Sequence, residues 1–304
     1  MATDPAASAA PDLVVLAAGM GSRFGGLKQL TGVGPGGATL LEYSLYDARR
    51  AGFGRVIFVI RPEMQADFRA FAESRLPSSL PWTTCLQRLE LPAGAPGAEE
   101  RQKPWGTAHA VLAAEGSVSG SFAVVNADDF YGREAFESVA TFLRTNRLDW
   151  SLVGYLLADT LSPAGGVNRG ALHVTPTGAL ESIEEMLEIS RADDGSIVGL
   201  GEAGPRILAE QQLVSMNFWA FNRSIFPDLH AGFNRFLARA NLRRDEFPLP
   251  VAIQDVLEHG DRCVRVLAPR SRWFGITYHD DLPGVRDALE RLVTAGMYPE
   301  RLWS

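Results

Sequence analysis

Leu13-Val14-Val15-Leu16-Ala17-Ala18-Gly19-Met20-Gly21-Ser22-Arg23 decides the reading of this chain. Its first five residues form an unbroken apolar run that ends in glycines. Such a run reads as a strand buried on both faces, the habit of a parallel sheet. Glycines 19 and 21 let the backbone approach a ligand closely and adopt positive φ. Successive amides in such a turn form a positive concavity suited to phosphate oxygens. Arg23 and Lys28 add full charges that can clamp a polyphosphate. Two commoner phosphate loops do not fit. A Walker loop needs Gly-Lys-Ser/Thr, whereas Lys28 stands between Leu27 and Gln29; the GxGxxG fingerprint needs glycine where Phe24 stands. The plainer alternative is a tight turn with incidental surface charges.

The pattern repeats outward from this turn. Thr39 to Ala51 has helical spacing and stops at Gly52, and Arg55 to Ile60 is a second buried strand. Pro62 to Arg75 reads as a helix, Phe122 to Asn126 as a strand, Arg133 to Asn146 as a helix and Trp150 to Leu157 as a strand. Strands alternating with helices predict an α/β fold: a mostly parallel, Rossmann-like three-layer sheet with helices on both faces. Beyond Ala158 the pattern becomes α+β. Arg169 to Glu185 reads as two short strands about a turn at Pro176 to Gly178, and Val214 to Asn222 as a mixed strand. Pro250 to His259 and Asp281 to Ala295 read as helices, with strands at Arg262 to Ala268 and Arg272 to Ile276. Pro92 to Lys103 and Ser190 to Pro205 read as long surface loops, candidate lids. The expected division is a disordered leader over 1–11 and one domain over 12–304. Within it, 12–157 would be the nucleotide-binding half and 158–304 the acceptor-binding half.

Bulk properties narrow the function. The chain has 304 residues and a net charge of -7, which argues against binding nucleic acid by neutralising its backbone. A single nucleotide needs only a local positive patch. No apolar run approaches the roughly 18 residues of a membrane span. Cys85 and Cys263 stand far apart and outside any metal-ligand spacing, so they read as free thiols. A cytoplasmic protein is expected, with a homo-oligomer left open.

At Leu16-Ala-Ala-Gly-Met-Gly-Ser-Arg-Phe-Gly-Gly-Leu-Lys28 the chain resembles the sugar-nucleotide pyrophosphorylases, or sugar-1-phosphate nucleotidyltransferases, of GT-A-like fold. The resemblance implies that Ala18, Gly19, Gly21 and Ser22 hold a nucleoside triphosphate. Arg23 would stabilise the leaving pyrophosphate, and Lys28 would touch the phosphates. Leu27 stands where the family has proline. In Gln102-Lys-Pro-Trp-Gly-Thr-Ala-His-Ala-Val111, Gly106 matches the glycine whose backbone reads the base. Thr107 also suits a helix N-cap, and His109 reads as structural. In Val125-Asn-Ala-Asp-Asp-Phe-Tyr-Gly132, Asp128 matches the family's Mg2+-binding aspartate, with Asp129 an outer partner.

Three more matches lie on the acceptor side. Gly170 and Glu185 track a sugar-binding hairpin, but Met186 replaces the lysine that meets the sugar phosphate; Lys103, Arg169 or Arg206 could supply that charge. Asn217 matches a residue that lines the acceptor pocket, whereas Trp219 and Phe221 read as core. In Trp273-Phe-Gly-Ile-Thr-Tyr-His-Asp-Asp281, Gly275 occupies the position of a second metal-binding aspartate. Asp281 is the candidate replacement, with helix capping as its other reading.

The resemblance therefore implies a Mg2+-dependent enzyme that joins a nucleoside triphosphate to a phosphorylated small-molecule acceptor, foremost a sugar 1-phosphate, releasing pyrophosphate. Two rival readings stay open: a cytidylyltransferase acting on phosphocholine or another phospho-alcohol, and a non-catalytic nucleotide-binding regulatory homologue. The glycine turn generates a direct expectation. Arg23→Ala lowers pyrophosphate release by roughly 1,000-fold, the scale of losing one preorganised charge at a leaving group, while circular dichroism shows the fold retained.

Overall fold

The structure, a computed structural model, describes residues 10–19, 32–90, 101–146, 148–259, 262–276 and 278–303. The glycine turn beyond Gly19 thus lies outside the described residues, as do Gly21, Ser22, Arg23 and Lys28. The same holds for residues 91–100, most of the loop expected at Pro92 to Lys103, and for residues 1–9 of the expected leader.

The nucleotide-side half runs β1 (Asp12–Leu16), α1 (Leu40–Ala51), β2 (Arg55–Ile60), α2 (Gln65–Arg75), β3 (Trp82–Leu86), α3 (Thr107–Ala113), β4 (Phe122–Asn126), β5 (Asp129–Phe130), α4 (Arg133–Thr145) and β6 (Trp150–Leu156). The rest runs β7 (Val167–Val174), β8 (Leu180–Arg191), β9 (Ile197–Gly201), β10 (Gly204–Leu208), β11 (Leu213–Phe221), α5 (Ile225–Arg239), α6 (Leu249–His259), β12 (Val264–Leu267), β13 (Phe274–Gly275) and α7 (Leu282–Thr294).

Strands β3, β2, β1 and β4 lie side by side and parallel, which bears out the expected core. β11 then joins β4 antiparallel and carries β7, β8, β9 and β10 outward, while β6 pairs with β11 and with β12. Alternate residues of β1 explain the three layers. Leu13 and Val15 join one buried cluster with α1, α2 and α4; Val14 and Leu16 join a second with α3, α5 and α6. A strand apolar on both faces cannot rest at a surface, so helices must cover it twice.

Local chemistry sets the element ends. Thr39 caps α1 with a reciprocal box: its Oγ1 accepts from the Glu42 amide at 3.2 Å, and Glu42 Oε2 accepts from the Thr39 amide at 2.8 Å. Gly52 ends α1 in the left-handed region, with φ of 94°. The helix read from Pro62 begins as a 3-10 turn over Pro62–Met64 before α2 starts.

Two expectations are corrected. The segment 190–205 is not a lid. It is the end of β8 and an antiparallel hairpin of β9 and β10, in which the chain reverses at Glu202 and Ala203 and the paired residues Ile197 and Leu208 are both buried. α5 escaped the sequence reading because Pro227 and Gly232 interrupt its pattern, yet Ile225, Phe226, Leu229 and Phe233 bury one face. Among the described residues no helix is long and apolar enough to cross a membrane, and both cysteines are free.

A third apolar cluster joins α1 to α7 and the C-terminal segment through Tyr43, Leu289, Tyr298 and Leu302. At its edge the Tyr298 hydroxyl donates to Asp47 Oδ2 at 2.6 Å. Burial pushes the Asp47 carboxyl up to about 7, against the opposing pull of the Tyr298 hydroxyl and of Arg50 and Arg133. The folded chain therefore keeps a proton that the unfolded chain releases. Its stabilising effect is complete below the unfolded value and is lost as pH rises through about 7. We expect Asp47→Asn to exceed wild type in denaturant stability by on the order of 2 kcal/mol at about pH 8, with the gap closing near about pH 4.

Candidate functional site

The site is laid out by strand register. Leu16 of β1 pairs with Asn126 of β4, and the Ala127 amide donates to Leu16 O at 3.1 Å. The residues that follow each strand, Ala17 to Gly19 and Ala127 to Asp128, therefore leave the same carboxyl edge side by side. That edge is where open α/β sheets bind ligands. Asp128 is exposed there, and Asp129 is buried behind it.

Asp129 is held by a dense hydrogen-bond cluster. Its Oδ2 accepts from Asn126 Nδ2 at 2.9 Å and from the Tyr131 hydroxyl at 3.1 Å. The Asn126 amide donates to that same hydroxyl at 2.9 Å, and Met216 O lies 3.0 Å from it. Burial raises the proton affinity of the Asp129 carboxyl, and the Asp128 charge raises it further. The exposed Asp128 charge thus disfavours ionisation of the buried carboxyl beside it.

Asn217 extends the cluster. It sits at a bulge in β11 with φ of 61°, a conformation asparagine tolerates better than most residues. The bulge turns its amide toward β4, where Nδ2 donates to Asn126 Oδ1 at 2.7 Å; Trp219 Nε1 donates to Asn217 Oδ1 at 2.9 Å. The structure therefore brings Asn217, Asn126, Asp129 and Asp128 together. Sequence reasoning had not singled out Asn126 or Tyr131. Their signal was the polar break at the end of an apolar strand.

Gly106 stands at the start of α3, which packs on β1 and β2. Its φ is 101°, and a Cβ there would meet Phe247 O at 2.5 Å. Glycine is thus required by backbone shape and by close approach. Gly106, not Thr107, is the N-cap; Thr107 Oγ1 instead accepts from the Leu249 amide at 2.7 Å. Gln87 Nε2 donates to Gly106 O at 2.9 Å and contacts His109 Nδ1 at 3.3 Å. Burial, aided by the Arg101 charge, lowers His109 to about 4, so it is a neutral ring packed on Phe233.

On the acceptor side Gly170 pairs with Glu185 across β7 and β8, and Glu185 is exposed. A Cβ on Gly170 would lie 2.9 Å from Ile183 Cγ2. Met186 points into the core, directly opposite Arg169. Of the three candidate cations, Arg206 is paired with Glu184 and Lys103 is exposed. Arg169 is different: burial lowers its proton affinity, while Asp129 and Asp281 oppose the drop. It lies over the Trp273 ring at 5.0 Å, and its Nη2 donates to Thr160 O at 2.6 Å. Asp281 accepts from Ser162 Oγ and from the Tyr278 amide, each at 2.7 Å, and its side chain does not cap α7.

A divalent cation fits these donors in one way. Among the described residues no group of three or more His, Cys, Asp or Glu side chains could hold a metal alone. Mg2+ does not require such a cage, since one or two carboxylates plus substrate phosphates suffice. Asp128 and Asp129 offer that pair. Beside them a Cβ on Gly275 would lie 2.6 Å from Asp129 Oδ1, and Trp273 Nε1 is buried with no hydrogen-bond partner.

The profile of one family, the MobA-like NTP transferase domain, matches residues 13–164. The chain belongs to that family. Its matched span begins at β1 and includes the glycine turn, Gly106 and Asp128. This NTP transferase is a nucleotidyltransferase by family, and solved structures share its fold. One is the inositol-1-phosphate CTP transferase of T. maritima, at TM-score 0.63 and 14% identity, covering 92% of this chain and 96% of that one. Another is HddC of Yersinia pseudotuberculosis complexed with GMP-PN, at TM-score 0.57 and 13% identity, covering 92% and 100%. A third is a UDP-glucose pyrophosphorylase complexed with UDP-glucose, at TM-score 0.58 and 14% identity, covering 92% and 98%. A search among curated proteins finds no match. For this NTP transferase we expect Gly106→Ala to lower denaturant stability by at least about 2 kcal/mol, through left-handed strain and the Phe247 clash.

Proposed function

We propose that this NTP transferase joins a nucleoside triphosphate to a phosphorylated small-molecule acceptor, foremost a sugar 1-phosphate, and releases pyrophosphate. The observation that carries the reading is the pairing of β1 with β4, which starts the glycine turn beside Asp128. The triphosphate lies along that edge, with its base toward Gly106 and its phosphates on the amides of residues 18–22. Arg23 and Lys28 neutralise the phosphates. Asp128 would hold Mg2+, with Asp281 the second carboxylate expected from the sequence, and the ion would offset charge on the phosphate oxygens. Glu185 and Asn217 face the acceptor, and Gly170 leaves room for it.

The reaction asks for positioning more than for covalent help from the protein. An acceptor phosphate oxygen attacks the α-phosphorus in line. The new P–O bond forms as the bond to the β-phosphate oxygen breaks, and its electron pair leaves with pyrophosphate. No general base is required, because a phosphate monoester is already ionised near neutral pH. Arg169, opposite Met186 and beside Asp129, is the cation best placed to attract the acceptor phosphate.

A phosphocholine acceptor, kept open by Met186 and the Trp and Tyr content, would call for an aromatic cage. Met186, Trp105, Trp150 and Trp219 are buried in the core and offer no open face to a quaternary ammonium. A matrix of triphosphates against sugar 1-phosphates, cyclitol phosphates and phospho-alcohols, read by pyrophosphate release, tests the proposal. At least one sugar 1-phosphate should turn over, and Asp128→Ala should cut that rate by roughly 100-fold or more. Nucleotide binding with no turnover on any acceptor would instead favour the regulatory reading.

A further inference from the structure

We propose that Arg101 is a positioning residue for the nucleobase: its guanidinium engages the backbone carbonyls that lead into Gly106 and fixes what that stretch can show a base. The inference rests on the functional reading above, which places the base toward Gly106, and adds a residue to it. Arg101 is 5% exposed. Its Nε donates to Lys103 O at 2.7 Å, Nη2 to Pro104 O at 2.7 Å and Nη1 to Leu242 O at 2.8 Å. The guanidinium also lies over the fully buried Trp105 ring, 3.9 Å from its centroid. Among the described residues it forms no ion pair, so carbonyl oxygens and a ring face meet its charge. A buried cation without a carboxylate is costly to keep in a fold. What it supplies is a rigid planar fork that sets three carbonyls in fixed directions, which a lysine on a flexible stem does not.

The carbonyls of four consecutive residues are all engaged inside the protein. Lys103 O and Pro104 O meet Arg101, and Trp105 O accepts from the Phe247 amide at 2.7 Å. Gly106 O accepts from Gln87 Nε2 at 2.9 Å and from the Ala110 amide at 3.1 Å. A base lying against this stretch therefore meets no free backbone acceptor. Losing Arg101 would release two of the four, at the exposed Lys103 and the half-buried Pro104, where they could pair with a base or with water. The same bonds set position. Leu242 and Phe247 belong to the segment between α5 and α6, and the Ala108 amide donates to Phe247 O at 3.1 Å. Arg101 thus ties the stretch before Gly106 to the segment whose Phe247 O would stand 2.5 Å from a Gly106 Cβ. It touches no position the base would take, and acts through the Gly106 backbone.

Calorimetric titration of the whole chain with ATP, CTP, GTP, UTP and inorganic tripolyphosphate, all with MgCl2, tests this. The readout is the gain of the best-bound nucleotide over tripolyphosphate, which isolates what the nucleoside adds. Arg101→Met should cut that gain by about tenfold while leaving tripolyphosphate affinity unchanged. Arg101→Lys keeps the charge without the planar fork and should fall between Arg101→Met and wild type. A merely structural role would weaken tripolyphosphate and nucleotides alike, and that result would overturn the inference. So would a wild-type gain in folded Arg101→Met. Should Arg101→Met fail to fold, a wild-type gain in Arg101→Lys overturns it equally. A wild-type chain that binds tripolyphosphate but no nucleotide more tightly would remove the base from Gly106, and the functional reading would fall with the inference. A wild-type gain that survives the loss of Arg101 sinks the inference alone.

Discussion

The hydrogen bond from the Ala127 amide to Leu16 O fixes the relation on which the site depends. It continues the β1–β4 ladder by one residue past the regular pairing. The described residues after β1, Ala17 to Gly19, are thereby set next to Ala127 and Asp128 after β4. The glycine-rich segment after β1 and the acidic segment after β4 lie more than a hundred residues apart in the chain. Only a parallel neighbour relation, buried on both faces, places them at one edge without a long-range tether of their own.

Burial makes that relation rigid. Leu13, Val14 and Val15 are fully buried, and so are their β4 neighbours Ala123, Val124 and Val125. A shift of register by one residue would exchange the two faces of β1 between clusters packed against different helices. The polar cluster at the strand ends then inherits this rigidity. Asn126 is the last residue of β4, and from there it ties Asp129, Tyr131 and Asn217 together. A carboxylate held by two donors and backed by a packed aromatic core has little freedom to turn away from a ligand.

How much of this could be read from the chain differs by element. β1, β2 and β4 were legible because doubly buried strands write continuous apolar runs. The left-handed glycines at 52 and 106 could also be anticipated, the first as a helix stop and the second from its motif. The hairpin over 190–205 was not legible, because its glycines and aspartates resemble those of a free loop and only its pairing with β8 reveals strands. The relation between Asp129 and Gly275 was least visible. Its signal is a collision between residues 146 positions apart, and a linear pattern does not encode cross-strand space. Met186 misled for a related reason: the sequence shows a missing lysine, while the fold shows a core side chain facing Arg169.

The central claim is that the turn after β1 and the acid after β4 grip one nucleotide between them. Anomalous diffraction from a crystal grown with MnCl2 and a nucleoside triphosphate tests this most directly. The account requires a manganese peak bonded to Asp128, with the triphosphate lying on the amides that follow Gly19. A triphosphate bound away from that turn, or a manganese peak remote from Asp128, would contradict it.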